Sequence, residues 1–364
     1  METLTIASLA AQVRGVSYKP EDLHGSLDDS SVILLRANNI DDGKINFDDV
    51  VFVDKKRVSN EQFLRKGDIL VCASSGSKNL VGKAASVDFD KEVTFGAFCK
   101  VVRPCNIEDA EYLAMFFQSP IYRRQIAATA IGANINNIRN EHIDTISVKW
   151  PATVKRKEIV DILSKAESII RKRKKQLSAL DDLIKARFVE MFEGKDYPTL
   201  AWNDVFNTTT GKLDSNAMVE DGAYPFFTCA KEVLRIDKYA FDQEALLLAG
   251  NNAAGKYDVK YYKGKFNAYQ RTYVLGLKQE WSYRLFQYQL EDKLDFLQQQ
   301  SLGGLTKYLT LKILGALDFI VPPMKFQEEF ETFVTQVDKF KSVIQKSLDE
   351  TQLLFDSLMQ EYFG

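Results

Sequence analysis

Lys155–Phe192 reads KRKEIVDILSKAESIIRKRKKQLSALDDLIKARFVEMF, and its apolar residues return on a seven-residue beat. Leu163, Ile170, Leu177, Ile184 and Met191 share one heptad position. Ala166, Arg173, Leu180 and Arg187 fall between them at the 3–4 spacing of a coiled-coil seam. No Gly or Pro interrupts the run, and Pro151 ends the segment before it. At 1.5 Å per residue such a helix is about 60 Å long, well beyond an ordinary globular helix. Arg and Lys at seam positions favour a narrow two-helix contact over deep burial. Two long core helices of a larger domain are the plainer alternative.

The pattern occurs twice. Gly132–Glu193 runs without a gap against Gly303–Gly364, 171 positions on. Ile143, Ile146 and Val148 fall on Leu314, Leu317 and Phe319, and Pro151 falls on Pro322. Ile159, Leu163, Ala166 and Phe192 fall on Phe330, Val334, Val337 and Phe363. One register held over that length is an internal repeat. It reaches further back: Glu111–Ala130, read as a helical pair, faces Ser282–Ser301 at the same shift. Gly82-Lys83 faces Gly255-Lys256, Thr94–Val102 faces Asn267–Leu275, and Arg14-Gly15 resembles Thr210-Gly211.

The fold class expected is therefore α+β: two globular modules, each followed by a long helix, the two helices forming an antiparallel coiled coil in an internal pseudo-twofold repeat. The expected divisions are 1–151, 152–193, 194–322 and 323–364. In the first module, strands are expected at Val32–Arg36, Val50–Val53, Asp68–Ala73 and Phe98–Val102. In the second they are expected at Tyr224–Thr228, Ala245–Ala249, Asp258–Tyr262 and Thr272–Leu277. The second module is shorter by about 25 residues, lost mostly near its front.

Charge favours the antiparallel direction. Ala152–Glu193 carries eleven Lys/Arg and seven Asp/Glu, whereas Pro323–Gly364 carries four and eight. Midpoint-to-midpoint antiparallel pairing brings Asp349 and Glu350 towards Arg171 and Lys172. It also brings Asp356 towards Lys165, and Lys339 towards Asp181 and Asp182.

Bulk numbers exclude several classes. The 364 residues suffice for two cored domains, and a net charge of −2 gives no overall basic signature. Positive charge for a nucleic acid would have to gather on one surface. Four cysteines without CxxC spacing and two distant histidines argue against a disulfide framework or a zinc site, and suit a reducing cytoplasm. No apolar run reaches membrane-spanning length, and the N-terminus lacks a signal pattern.

Catalytic signatures are missing. Gly250–Lys256 spells GxxxxGK after an apolar run, but Tyr257 stands where a P-loop needs Ser or Thr. There is no GxSxG, no HExxH and no Asn-Pro-Pro-aromatic tetrapeptide. What both modules share is a polar loop after a central strand, holding Ser75, Lys78, Asn79 and Lys83 in one and Asn251, Asn252 and Lys256 in the other. Asn267, Tyr269, Gln270 and Arg271 follow in the second module. A further loop ahead of the first long helix carries Asn134, Asn136, Asn137 and Arg139, with Lys307 in its counterpart. Amides read adenine, Arg and Lys read guanine, and backbone N–H groups and Lys hold phosphates. Ordinary turn residues would look alike one loop at a time, but recurrence in both halves favours DNA binding.

The whole plan resembles the specificity subunit of type I restriction-modification enzymes. The residues carrying the resemblance are Arg14-Gly15 and Thr210-Gly211, Lys66–Val71, Gly255-Lys256, Phe266–Val274, Gly132–Ile138, Gly303–Leu309, and each proline that precedes a long helix. The resemblance implies two target-recognition domains reading the halves of a split double-stranded DNA sequence, spaced by the paired helices. It implies a non-catalytic chain with no cofactor of its own, on which two methylation subunits carrying S-adenosylmethionine dock and restriction subunits can join. The alternative is a coiled-coil interaction scaffold that does not touch DNA.

Overall fold

A computed structural model of the chain describes residues 2–77, 80–129, 137–253 and 255–364. It divides into two compact units, and the division falls inside both long helices. The first takes the chain through Lys174 together with Lys346–Gly364; the second is Lys175–Gln345.

The main strands of the first unit are β1 (Glu2–Thr5), β2 (Ala10–Arg14), β3 (Leu23–His24), β4 (Ser31–Leu35), β5 (Val51–Asp54), β6 (Ile69–Cys72), β7 (Ala84–Ser86), β8 (Val93–Phe95) and β9 (Cys99–Pro104), with a short hairpin of Ile40–Asp41 and Lys44–Ile45 between β4 and β5. Helices α1 (Ala110–Gln118) and α2 (Pro120–Thr129) follow, then β10 (Ser147–Trp150) and the long helix α3 (Thr153–Phe192). An antiparallel sheet in the order β2-β9-β6-β7 lies at the centre. Ile69 and Val71 of β6 point into a core shared with Tyr112, Phe116 and Tyr122 of the helices. Leu70 and Cys72 point the other way, into a core with Leu35, Val93 and Phe95 of a second sheet, ordered β8-β4-β5-β3. A strand covered on both faces reads as a continuous apolar run.

The second unit contains β11 (Thr199–Ala201), β12 (Phe206–Thr210), β13 (Tyr224–Phe227), β14 (Leu234–Ile236), β15 (Phe241–Ala249), β16 (Asn251–Asn252), β17 (Val259–Ala268) and β18 (Thr272–Leu277). Helices α4 (Tyr283–Asp292) and α5 (Leu294–Gln300) and strands β19 (Lys307–Tyr308) and β20 (Asp318–Ile320) follow, and then the long helix α6 (Met324–Phe363), whose residues from Lys346 on belong to the first unit. Its six-stranded sheet runs β12-β18-β15-β17-β13-β14. The first four strands repeat the central sheet of the first unit in the same order. The parallel pairing of β4 with β8, Leu34 on Thr94, returns as β13 on the far end of β17, Phe226 on Asn267. The second unit thus builds β7 and β8 as one strand and replaces the β3 and β5 hairpins by a short ribbon, which is where the shorter front is lost.

The repeat governs how each long helix starts. Arg156 and Gln327 stand 171 positions apart. Arg156 Nη1 donates to the Pro151 carbonyl at 2.6 Å, and Gln327 Nε2 donates to the Pro322 carbonyl at 2.7 Å. Upstream, β1 pairs with β10 and β11 pairs with β20. Ile6 N donates to the Ile146 carbonyl just as Trp202 N donates to the Leu317 carbonyl.

Every seam position from Leu163 to Met191 and from Val334 to Tyr362 is buried or half-buried, including the charged ones. In the first unit Ile159 and Leu163 at the start of α3 share a core with Met359 and Phe363 at the end of α6. In the second unit Ile184 and Met191 near the end of α3 share one with Phe330, Val334 and Val337 near the start of α6. Both contacts require antiparallel helices. Burying each such side chain contributes roughly 1.5–3 kcal/mol, so the apolar seam supplies most of the stability.

Several ionic partners differ from the expected ones. Lys341, not Lys339, pairs with Asp181, at 2.6 Å. Lys165 pairs with Asp161, and Arg171 with Glu167, both one turn away on their own helix. Asp356 Oδ1 accepts from Gln352 Nε2. Short-range partners on one helix cost less side-chain entropy to hold than partners across a seam. Among the described residues, no helix is long and apolar enough to cross a membrane.

Candidate nucleic-acid interface

In each unit the loops at one end of the central sheet are tied together by main-chain hydrogen bonds. In the second unit Gly250, directly after β15, donates to the Arg271 carbonyl at 2.8 Å and accepts from Leu309 N at 2.8 Å. In the first unit Ala73, directly after β6, donates to the Phe98 carbonyl at 2.9 Å and accepts from Ile138 N at 2.6 Å. The three partners correspond through the repeat: a central-strand end, a turn, and the loop before the long helix. The match continues outward, since Asn251 and Asn252 pair with Tyr308 and Lys307, and Ser74 bridges to Asn137.

The segments that follow β2 and β12 join the same frame. Val16 bridges to Gly96 and Leu213 bridges to Tyr269. The Val16 carbonyl accepts from Ala97 N, and the Leu213 carbonyl accepts from Gln270 N. Three glycines let these segments touch. A Cβ on Gly15 would lie 2.1 Å from the Gly96 carbonyl oxygen, on Gly211 1.8 Å from that of Ala268, and on Gly250 2.3 Å from that of Arg271. Tyr273 closes the second frame by donating its hydroxyl to the Leu309 carbonyl at 3.0 Å, and burial pushes its phenol pKa up.

These frames bring some of the expected residues together and set others apart. Ser75, Asn137 and Arg139 lie around the first frame. Asn251, Asn252, Tyr269, Gln270, Arg271 and Lys307 lie around the second. Gln270 and Arg271 are exposed, while Asn251, Asn252, Tyr269 and Lys307 are half-buried. Gln270 Nε2 donates to Asp214 Oδ2 at 3.4 Å, and Arg139 Nη1 lies 3.4 Å from Glu141.

Asn267 is a correction. It is 5% exposed on β17, its Nδ2 donating to the Lys238 carbonyl and its Oδ1 accepting from Ala268 N, so its amide is spent inside the fold. Lys83 and Lys256 also stand away from the frames. Lys83 lines a cavity of about 800 Å³ with Arg123, Glu167, Arg171 and Lys174, beside the long helices. Lys256 lines one of about 470 Å³ with Lys185, Tyr288, Glu291 and Asp295. The glycine before each lysine is structural: Gly82 and Gly255 have φ of +80° and +67°, and each packs against the second helix of its pair. The loop at Gly250 runs into β16 and then β17, not into a helix, so it offers no helix N-terminus to a phosphate. Lys78, Asn79, Asn134 and Asn136 lie outside the described residues.

Sequence reasoning found Ser75 but missed other residues that ring a cavity of about 560 Å³ on the first frame. Tyr18, Arg36, Asn38 and Phe98 line it with Ser74 and Ser75. Phe98 is 69% exposed. Arg36 and Asn38 both donate to Asp49 Oδ2, at 2.9 and 2.8 Å. An aromatic residue two positions after Gly96 was the available signal.

Comparison with known proteins follows this two-part plan. The family model described as the type I restriction modification DNA specificity domain matches twice, over residues 36–179 and 195–351. The chain belongs to that family.

Each specificity-domain match runs from a globular unit into a long helix. The chain is 36% identical to the type I restriction enzyme StySPI specificity subunit of Salmonella potsdam over 183 residues, half of this chain and 40% of that protein. It is 37% identical to the EcoKI specificity subunit of Escherichia coli K12 over 186 residues, 51% of this chain and 38% of that protein. The matched stretch thus spans about two fifths of the length of these relatives. A crystal structure of a type I restriction-modification system S subunit from M. genitalium superposes with a TM-score of 0.64. That likeness covers 100% of this chain and 96% of the other at 15% identity, and shows that the fold is shared.

Proposed function

We propose that this chain is the non-catalytic DNA-specificity subunit of a type I restriction-modification enzyme. The observation that carries the reading is the duplicated frame, which presents turn residues in one main-chain setting in both units. Residues 1–151 form the first target-recognition domain and 194–322 the second, with 152–193 and 323–364 as spacer helices. Each domain reads one half of a bipartite double-stranded DNA target. Ser75, Asn137 and Arg139, and Asn251, Asn252, Tyr269, Gln270, Arg271 and Lys307, meet the groove edges and phosphates. Lys78, Asn79, Asn134 and Asn136 join them from the same loops. Lys83 and Lys256 act at the backbone, through charge rather than sequence.

The chain works in the cytoplasm with two methylation subunits, which carry the S-adenosylmethionine, and with restriction subunits. The decisive experiment is methylation mapping of host DNA with the gene present and deleted. A bipartite methylated motif that disappears with the gene is the expected result; an unchanged methylation pattern overturns the reading. A gel shift of the reconstituted complex gives a steep salt slope if phosphates are neutralised, and none if the chain is a scaffold only.

A further inference from the structure

Phe98 and Arg271 hold the same place in the two frames. Each offers its carbonyl to the residue that follows the central strand, Ala73 in one unit and Gly250 in the other. Each is the third residue of a turn whose first residue, Gly96 or Tyr269, bridges to the segment just after β2 or β12, at Val16 or Leu213. Their positions differ by 173, the shift that aligns Thr94–Val102 with Asn267–Leu275. Both side chains are exposed, yet their chemistry is opposite: one is an apolar ring, the other a guanidinium.

An exposed phenylalanine on such a rim needs an explanation, because the same main-chain setting in the second unit carries a cation. The ring stands at the rim of a cavity lined by Arg36, Asn38 and Ser75 and also by the apolar Val16, Tyr18 and Ala37. In the major groove the one apolar feature among the base edges is the thymine methyl, and Phe is among the side chains that contact it. Arginine in the equivalent place reads guanine through O6 and N7.

Resting on the DNA-specificity reading above, we propose that Phe98 and Arg271 are equivalent specificity positions, Phe98 selecting a T·A pair in one half-site and Arg271 a G·C pair in the other. The main-chain frame sets where the side chain enters the groove, and the side chain sets which base pair is accepted.

The test is methylation mapping in a host carrying the complete system with the wild-type chain, Phe98→Ala, Phe98→Arg or Arg271→Ala. Phe98→Ala is expected to lower discrimination about ten- to a hundredfold at one T·A position of one half-site, leaving the other half unchanged. Arg271→Ala is expected to do the same at one G·C position of the other half-site. Phe98→Arg should shift the preference at its own position towards G·C. Melting curves of the purified complexes should coincide, because both side chains lie on the surface. Relaxation at positions of the other base composition, relaxation in both halves by one substitution, or intact motifs in stable variants would overturn the assignment. A wild-type chain that specifies no bipartite motif would instead remove the specificity reading itself.

Discussion

Lys341 reaches the carboxylate of Asp181 at 2.6 Å, from the first half of one long helix to the second half of the other. Only an antiparallel pair brings these positions together in a single unit. The lysine side chain is 32% and the aspartate 54% exposed, so the pair is screened and weak. Asp181→Lys should lower the stability of the second unit by about 0.2–1 kcal/mol. Exchanging both charges, Asp181→Lys with Lys341→Asp, should restore most of that. Urea midpoints of the two variants would show it; an additive loss in the double variant would mean the pair does not couple.

Arg156 is a different case. It is 8% exposed, its Nη2 lies 2.5 Å from Asp109, and its guanidinium stacks 4.2 Å from the Trp150 ring. Arg156→Ala would leave the Asp109 carboxylate without its partner, at a cost of about 3–5 kcal/mol. Arg156→Gln combined with Asp109→Asn should cost less, because Gln327 already makes the corresponding bond to a proline carbonyl in the second unit. Equal losses in the two variants would show that the carbonyl contact contributes nothing.

Gly211 tests the frame. An alanine there places its Cβ 1.8 Å from the Ala268 carbonyl oxygen, so β12 and the turn at Tyr269 must part. On the DNA-specificity reading proposed above, Gly211→Ala should weaken binding at the second half-site by more than its loss of melting temperature accounts for, because the turn carrying Gln270 and Arg271 moves. Gly276→Ala, with no atom near the added carbon, is the matched control. Similar behaviour of the two variants would mean the close approach does not position the turn.

Tyr112 gives a pH signature. Burial raises its phenol to about 12 although Arg156 lies near, and its hydroxyl donates to the Lys149 carbonyl at 2.8 Å. The unfolded chain releases that proton near pH 10, earlier than the folded chain. The stability it contributes is therefore intact below about pH 10 and is lost as pH rises towards 12. Tyr288, also raised to about 12 by burial, acts in the same direction in the second unit. Tyr112→Phe should flatten the fall of the first unit's urea midpoint between pH 9.5 and 11.5, measured with about 0.5–1.5 kcal/mol lost at neutral pH from the missing hydrogen bond. An unchanged alkaline slope would exclude Tyr112 from it.

The long helices were legible because the seven-residue beat persists over Leu163–Met191 and again over Val334–Tyr362, with no competing local signal. The strands were less so. Asp68–Ala73 was expected as a strand and Ile69–Cys72 is one, although burial on both faces erases its alternation, whereas β1, β2, β3, β7, β8 and β10 were not expected. Asn267 looked like part of a polar loop because Tyr269, Gln270 and Arg271 follow it, yet β17 runs on to Ala268. Reading for amides and cations also passed over Phe98, whose place becomes visible only when its carbonyl is seen to match that of Arg271. The ionic register failed by two residues at Lys341, since side-chain reach, not charge balance, selects the partner.

Apart from the Tyr273 hydroxyl in the second, the bonds that hold each frame are made by backbone N–H and C=O groups, with glycines where chains touch. A residue such as Phe98 or Arg271 therefore contributes its peptide unit to the architecture and leaves its side chain outside it. On the specificity assignment proposed above, changing that side chain costs the fold little, so a new target preference is reachable in one mutational step without a compensating one. Under that assignment, architecture and preference are separately heritable properties of the same short segments.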